Sequence, residues 1–243
     1  YHIDISDSSI AIQAVTPTGV LRAVQTLVQL AEGYDGKASE LEALSMTDWP
    51  AFKLRGWMQD VGRSFLSIDE LKREINHLSR FKVNVFHWHL TEKLAWRFEV
   101  KAYPQLTDKK NMVRYAGQYY TQKECHDLEE YAAQRGVTVI PEIDMPGHSD
   151  VFTHAMGFDM QSEKGREALK KILDEVGTTF PRAPYIRIGG DEVALKDGFL
   201  EEMASYVRTE LKRRVVVCNP LANKSVTSRM ADMTQMWSTR GNV

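Results

Sequence analysis

Polar and apolar positions alternate at the start of the chain, through His2, Ile3, Asp4 and Ile5 and again from Ile10 to Val15. That period of two predicts a pair of strands with one exposed face, joined by an Asp-Ser-Ser turn. A helix is predicted next, because Val20, Leu21, Val24, Leu27, Val28 and Leu30 fall on helical spacing. From Tyr34 to Pro50 the sequence reads as a linker. Two strands and one helix are too little to bury a core. Residues 1–47 therefore read as the C-terminal part of a small α/β domain whose beginning is missing.

Beyond Pro50 short apolar runs alternate with amphipathic helices. "FKLRGWMQDV" reads as a strand, and Ser67 with Glu70 forms a capping-box signal for a helix that places Ile68, Leu71, Ile75, Leu78 and Phe81 on one face. "VNVFHWHL" is the next strand; Thr121 and Glu124 cap the next helix, which Gly136 stops. "VTVIPEID", "YIRIGG" and "VVVCN" follow as strands separated by helices, and "MTQMW" adds a sixth. This alternation calls for parallel pairing with right-handed crossovers, in a barrel or a doubly wound sheet. Polar residues cluster at the carboxyl ends of successive strands: His87 and His89, then Glu142, Asp144 and His148, then Asp191 and Glu192, then Asn219. Only a barrel brings all of these ends around one mouth. The expected fold of residues 48–243 is thus an α/β, TIM-type (β/α)8 barrel, incomplete at its C-terminus.

Composition narrows the classes of function. The 243 residues are 43% hydrophobic, and 31 basic against 33 acidic side chains leave a formal charge of −2 with the signs interspersed. No footprint for nucleic acid or an anionic membrane results. Two cysteines, Cys125 and Cys218, rule out a disulfide framework. No apolar run reaches the ~20 residues of a membrane-spanning helix, and no leader precedes Tyr1, so the chain reads as mature or truncated protein.

The candidate chemistry centres on "YIRIGGDEV". Adjacent residues of a regular strand face opposite ways, so Asp191 and Glu192 can serve one site only if the strand has already ended. Gly189 and Gly190 permit that ending. Two neighbouring acids lie on the same side of any substrate, unlike the carboxylates that flank a glycosidic bond from opposite sides. The arrangement suits one acid that donates a proton and one anion that assists. Carboxylates at a helix N-terminus are the plainer alternative. His87 and His89 share a face and fit either a zinc site or a hydrogen-bonded pair. The Pro146–Gly147 turn would let Asp144 accept a hydrogen bond from His148 and fix its tautomer. Arg55 needs a carboxylate or ligand hydroxyls for its donors, whereas Arg63 is better explained by pairing with Asp60. Trp57, Trp88 and Trp96 fit core positions, while Trp237 suits the wall of a sugar site.

Four ordered motifs, "KLRGWMQDVGRSFLS", "KVNVFHWHLT…WR", "VTVIPEIDMPGHS" and "YIRIGGDEV", resemble the catalytic barrel of the β-N-acetylhexosaminidases of glycoside hydrolase family 20. The resemblance runs from about Ile10 to Trp237. It implies retaining hydrolysis of terminal β-linked N-acetylglucosamine or N-acetylgalactosamine, with the substrate's own acetamido oxygen as nucleophile. By the same resemblance Glu192 is the acid/base and Asp191 holds the acetamido N–H. Arg55 grips sugar hydroxyls, His89, Asp144 and His148 line the site, and Trp237 walls the acetamido pocket. The implied partners are N-acetylhexosamine-containing oligosaccharides or glycoconjugates, with no cofactor, no metal and an extracytoplasmic location. Departures from the family pattern stand at Arg187, Glu92, Lys93 and Cys218, and the last barrel strands have no counterpart. The alternatives are a metal-dependent barrel hydrolase built on His87, His89, His148 and Asp191, and a non-catalytic sugar-binding relic.

Overall fold

A computed structural model describes residues 1–32, 40–219 and 231–237, with the backbone alone at Asn219. The first part is a three-stranded antiparallel sheet of β1 (His2–Ile5), β2 (Ile10–Gln13) and β3 (Leu44–Thr47), covered by helix α1 (Pro17–Glu32). β1 is the central strand, and Ile3 and Ile5 are buried beneath α1 with Ala23. Strand β3 corrects the reading of this stretch as linker; the part from Tyr34 to residue 39 lies outside the described residues. Only Leu44 and Met46 give β3 its pattern, and its order comes from the ladder it makes with β1. The helix also turns differently from expectation. Arg22, Ala23 and Thr26 are its buried residues, and Val20, Val24 and Val28 face solvent. Docking through polar atoms sets that orientation: Arg22 Nη2 donates to Gly136 O at 2.6 Å, and Gln25 Nε2 to Ser79 Oγ at 2.7 Å.

The second part follows the strand–helix alternation. Its elements in order are β4 (Gly56–Asp60), α2 (Ile68–Arg80), β5 (Val85–His89), the two-residue strands β6 (Thr91–Glu92) and β7 (Ala95–Trp96), α3 (Gln122–Ala133) and β8 (Thr138–Met145). There follow α4 (Asp150–Met156), α5 (Glu163–Thr179), β9 (Tyr185–Gly189), α6 (Phe199–Thr209), β10 (Arg214–Asn219) and β11 (Met233–Met236). Both predicted capping boxes form, Ser67 with Glu70 and Thr121 with Glu124. The short helix α4 and the β6–β7 hairpin have too few residues to show a period, and pattern reading did not find them.

β4, β5, β8, β9, β10 and β11 form one parallel sheet in which each strand lies beside its predecessor. A doubly wound sheet reverses its order at a switch point. This one does not, and it curls into half of a (β/α) barrel. The outer face buries Phe86, Trp88, Val139, Ile143, Ile186 and Ile188 against α2, α3, α5 and α6. The period of two then assigns His87, His89, Glu142, Asp144 and Arg187 to the concave face, where side chains of successive strands meet in layers.

Arg97 braces the loop beside this mouth. It is fully buried and, among the described residues, forms no ion pair with a carboxylate; its guanidinium donates to five backbone carbonyls, those of Val61, Gly62, Arg114, Tyr115 and Gln118. Burial pulls its pKa down to about 10. A lysine has three donors on a single atom and cannot span this set. Arg97→Lys is expected to cost about 2 kcal/mol or more in a urea unfolding titration, because buried carbonyls lose their donors.

Candidate active site

Strand β9 ends at Gly189, and the chain then passes through left-handed conformations at Gly189 (φ 68°), Gly190 (φ 103°) and Glu192 (φ 63°). Gly189 has a second constraint: a Cβ there would run into Oδ1 of Asp144. Only glycine meets both demands. The turn sends the two neighbouring acids in different directions. Asp191 is buried, and its Oδ2 accepts a 2.7 Å hydrogen bond from Trp237 Nε1. Glu192 keeps 47% of its side chain exposed and lies 2.9 Å, Oε2 to Nε2, from His148. Helix α6 begins only at Phe199, so the pair does not sit at a helix N-terminus.

His148 links Glu192 to a third acid. Its Nδ1 lies 2.6 Å from Glu92 Oε1, and Arg63 Nη2 is 2.5 Å from the same oxygen. Hydrogen bonding to Glu92, with further help from the charges of Asp144 and Glu92, outweighs partial burial and raises the His148 pKa to about 9. Burial opposes ionisation of Glu92, yet His148 and the Lys93 backbone N–H hold its carboxyl below the usual range. Arg63 also pairs with Asp60 at 2.5 Å, as expected. The spacing gave Asp144 the role that Glu92 fills. β8 continues in extended form to Met145, which carries Asp144 past the ring, and His148 (φ 50°) turns toward Glu92 instead. Glu92 was visible only as a departure from a motif. The signal that could have found it is an acid placed just after a histidine-bearing strand.

Asp144 is nonetheless part of the cluster. Its Oδ1 is buried without a partner, and burial raises its pKa to about 6, against the pull of His89 and His148. Below it, Glu142 Oε2 lies 2.6 Å from His87 Nε2 and 2.5 Å from His89 Nδ1. Arg187 contacts the other oxygen of Glu142 and also Cys218 Sγ. Two departures from the family pattern thus touch each other. Burial, with Arg187 nearby, lowers His87 well below its ordinary value, and burial also lowers His89. Burial pushes the Cys218 thiol up to about 12. The histidines are therefore neutral and the thiol protonated near pH 7. The quartet His87, His89, His148 and Asp191 is not gathered: among the described residues the possible metal-ligand groups are Asp60–His89–Glu92, His89–Glu142–Asp144 and His126–Glu129–Glu130.

Arg55 is the predicted site residue that the structure leaves out. It precedes β4 at the amino end of the strand, where its Nε donates to Lys82 O and its Nη1 to Phe52 O. Register places Gly56 beside Val85 and Asp60 beside His89, so Arg55 lies at the end opposite the acids. Trp88 and Trp96 are core, as expected; Trp57 is half-exposed on the outer side near α2, and Trp237 stands at the mouth. The 920 Å³ cleft lies at the amino end of the strands, between α1 and the barrel, away from this chemistry.

Comparison with known proteins places this geometry. The catalytic-domain model of glycosyl hydrolase family 20 matches residues 52–164, and the model of that family's domain 2 matches residues 1–49. The chain belongs to glycosyl hydrolase family 20. A beta-hexosaminidase of Porphyromonas gingivalis is 35% identical over 207 residues, which are 72% of this chain and 26% of the relative. A β-N-acetylhexosaminidase structure from Streptomyces coelicolor superposes with a TM-score of 0.87 at 26% identity, covering 100% of this chain and 56% of that one. An exo β-N-acetylglucosaminidase of Vibrio harveyi, solved with N-acetylglucosamine, gives 0.83 at 28% identity, covering 98% and 46%. The chain thus spans only part of the length of each of these family 20 proteins.

The pKa of His148 sets a pH window. The folded value of about 9 exceeds the unfolded ~6.5, so this ion pair stabilises fully below pH 6.5, and its contribution fades as pH rises through 9. Thermal melting between pH 6 and 10 is expected to show this loss in the unaltered protein. In His148→Asn the step should be absent.

Proposed function

We propose that this chain carries the reacting centre of a β-N-acetylhexosaminidase that works with retention of configuration and with help from the substrate. The observation that carries the reading is the divergence of two adjacent acids, one buried and fixed by Trp237, the other exposed and held by His148. The substrate is a terminal β-linked N-acetylglucosamine or N-acetylgalactosamine of an oligosaccharide or glycoconjugate. Its acetamido oxygen attacks the anomeric carbon while Glu192 gives a proton to the departing oxygen. Asp191 accepts the acetamido N–H and stabilises the positive charge that spreads over the oxazolinium ring. Glu192, now a carboxylate, takes a proton from water as that water attacks the same carbon from the face the aglycone has left. Two inversions give net retention.

His148 orients Glu192 throughout and keeps its own proton, since Glu92 stabilises the imidazolium. Proton exchange then runs between Glu192 and the glycosidic oxygen. Trp237 holds Asp191 through its indole N–H and offers its apolar face as a wall for the acetamido group. Division of the chain near residue 47 and an extracytoplasmic location belong to the same reading.

Glu192→Gln is expected to lower kcat on a disaccharide with an unactivated leaving group by about 10²–10⁴-fold. The loss should be much smaller on an aryl N-acetylglucosaminide, whose leaving group needs no proton. Asp191→Asn should slow both substrates, because closure of the ring accompanies the departure of either leaving group. Equal activity of Glu192→Gln and the parent protein on the disaccharide would overturn the assignment.

A further inference from the structure

Helix α3 carries His126, Glu129 and Glu130, spaced so that the histidine faces both acids across one helical turn. Donor atoms of all three lie within 4.8 Å of one another. Glu129 is the unusual member. It is 1% exposed, its Oε1 accepts from the backbone N–H of Arg182 at 3.1 Å, and its Oε2 is buried with no partner. Buried polar atoms in folded proteins are nearly always satisfied, so an orphaned carboxylate oxygen inside a ligand-forming group points to a missing cation. Burial pushes the Glu129 carboxyl above its ordinary range, against the pull of backbone hydrogen bonds and of His126.

The two neighbours are prepared in a way that suits a metal. His126 Nδ1 lies 3.3 Å from the carbonyl oxygen of Thr179, to which it donates; this fixes the tautomer and leaves the other nitrogen with its lone pair free. Glu130 uses Oε1 for Arg182 Nε at 2.5 Å, and among the described residues its second oxygen makes no hydrogen bond. One arginine faces two carboxylates there, so the group retains net negative charge. Access exists as well, because Glu129 and Arg182 line the 920 Å³ cleft at the amino end of the strands.

We infer that His126, Glu129 and Glu130 form a binding site for a divalent transition-metal ion of the zinc class. One imidazole and two carboxylates, with water completing the tetrahedron, match the ligand preferences of zinc and cobalt; a thiolate-seeking ion such as copper(I) finds no sulfur there. The ion would tie α3 to the last turn of α5, through the Thr179 carbonyl, and to the turn before β9, through Arg182. It stands apart from the hydrolytic centre and plays no part in the chemistry proposed there.

Equilibrium dialysis of the full chain against zinc at neutral pH, after chelator treatment, tests the site. One equivalent is expected to bind, with affinity at least tenfold weaker in both Glu129→Gln and His126→Gln, provided circular dichroism shows them folded. A second measurement needs no variant: zinc should protect His126 of the parent protein from modification by diethyl pyrocarbonate, read by mass spectrometry of the peptide that contains it. Absence of uptake, equal uptake by folded variants, or an unchanged rate of His126 modification would each overturn the inference. Hydrolysis of an N-acetylglucosaminide is a separate readout, so failure of the zinc site leaves the glycosidase reading standing and the reverse also holds.

Discussion

The close approach of the β9 backbone to the Asp144 carboxylate governs the layout of the mouth. No side chain fits at Gly189, and the backbone there takes a conformation that residues with a Cβ avoid. Freed from strand geometry at that point, the chain reaches Asp191 and Glu192 in a turn, where neighbours need not face opposite ways. The buried carboxylate then meets the Trp237 indole, and the exposed one meets His148.

Beneath the mouth lies a second layer in which charge is balanced without solvent. Glu142 takes contacts from His87, His89 and Arg187, and Arg187 extends to Cys218. Arg187 makes the ion-pair contact with Glu142 in this layer. Removing one partner from such a buried group costs more than the pair is worth, because a bare charge remains. The layer therefore underlies the residues of the mouth, and its unusual members, Arg187 and Cys218, have to be considered together.

Much of the barrel half is legible in the sequence, since long strands and capped helices leave strong periodic signals. Ser67 with Glu70 and Thr121 with Glu124 marked two helix starts, and "MTQMW" was readable as a strand. What failed was either short or non-local. β3 has four residues and depends on β1 for its order, and α4 is too brief to display a stripe. Site residues divided in the same way. Asp191, Glu192, His148 and Trp237 converge, but Arg55 could not be placed by sequence distance, because the end of a strand on which a residue sits depends on where the ladder begins. The role of Glu92 was hidden for a similar reason: nothing in its spacing from His148 says that the imidazole turns toward β6 and not back toward β8.

One consequence follows from the single peptide unit between Asp191 and Glu192. Groups that serve different bonds of a substrate usually stand on separate elements, which can drift independently as loops breathe. In this chain any shift of the turn carries both carboxylates as one body. Both carboxylates thus belong to one short segment, anchored on one side by an indole and on the other by an imidazole.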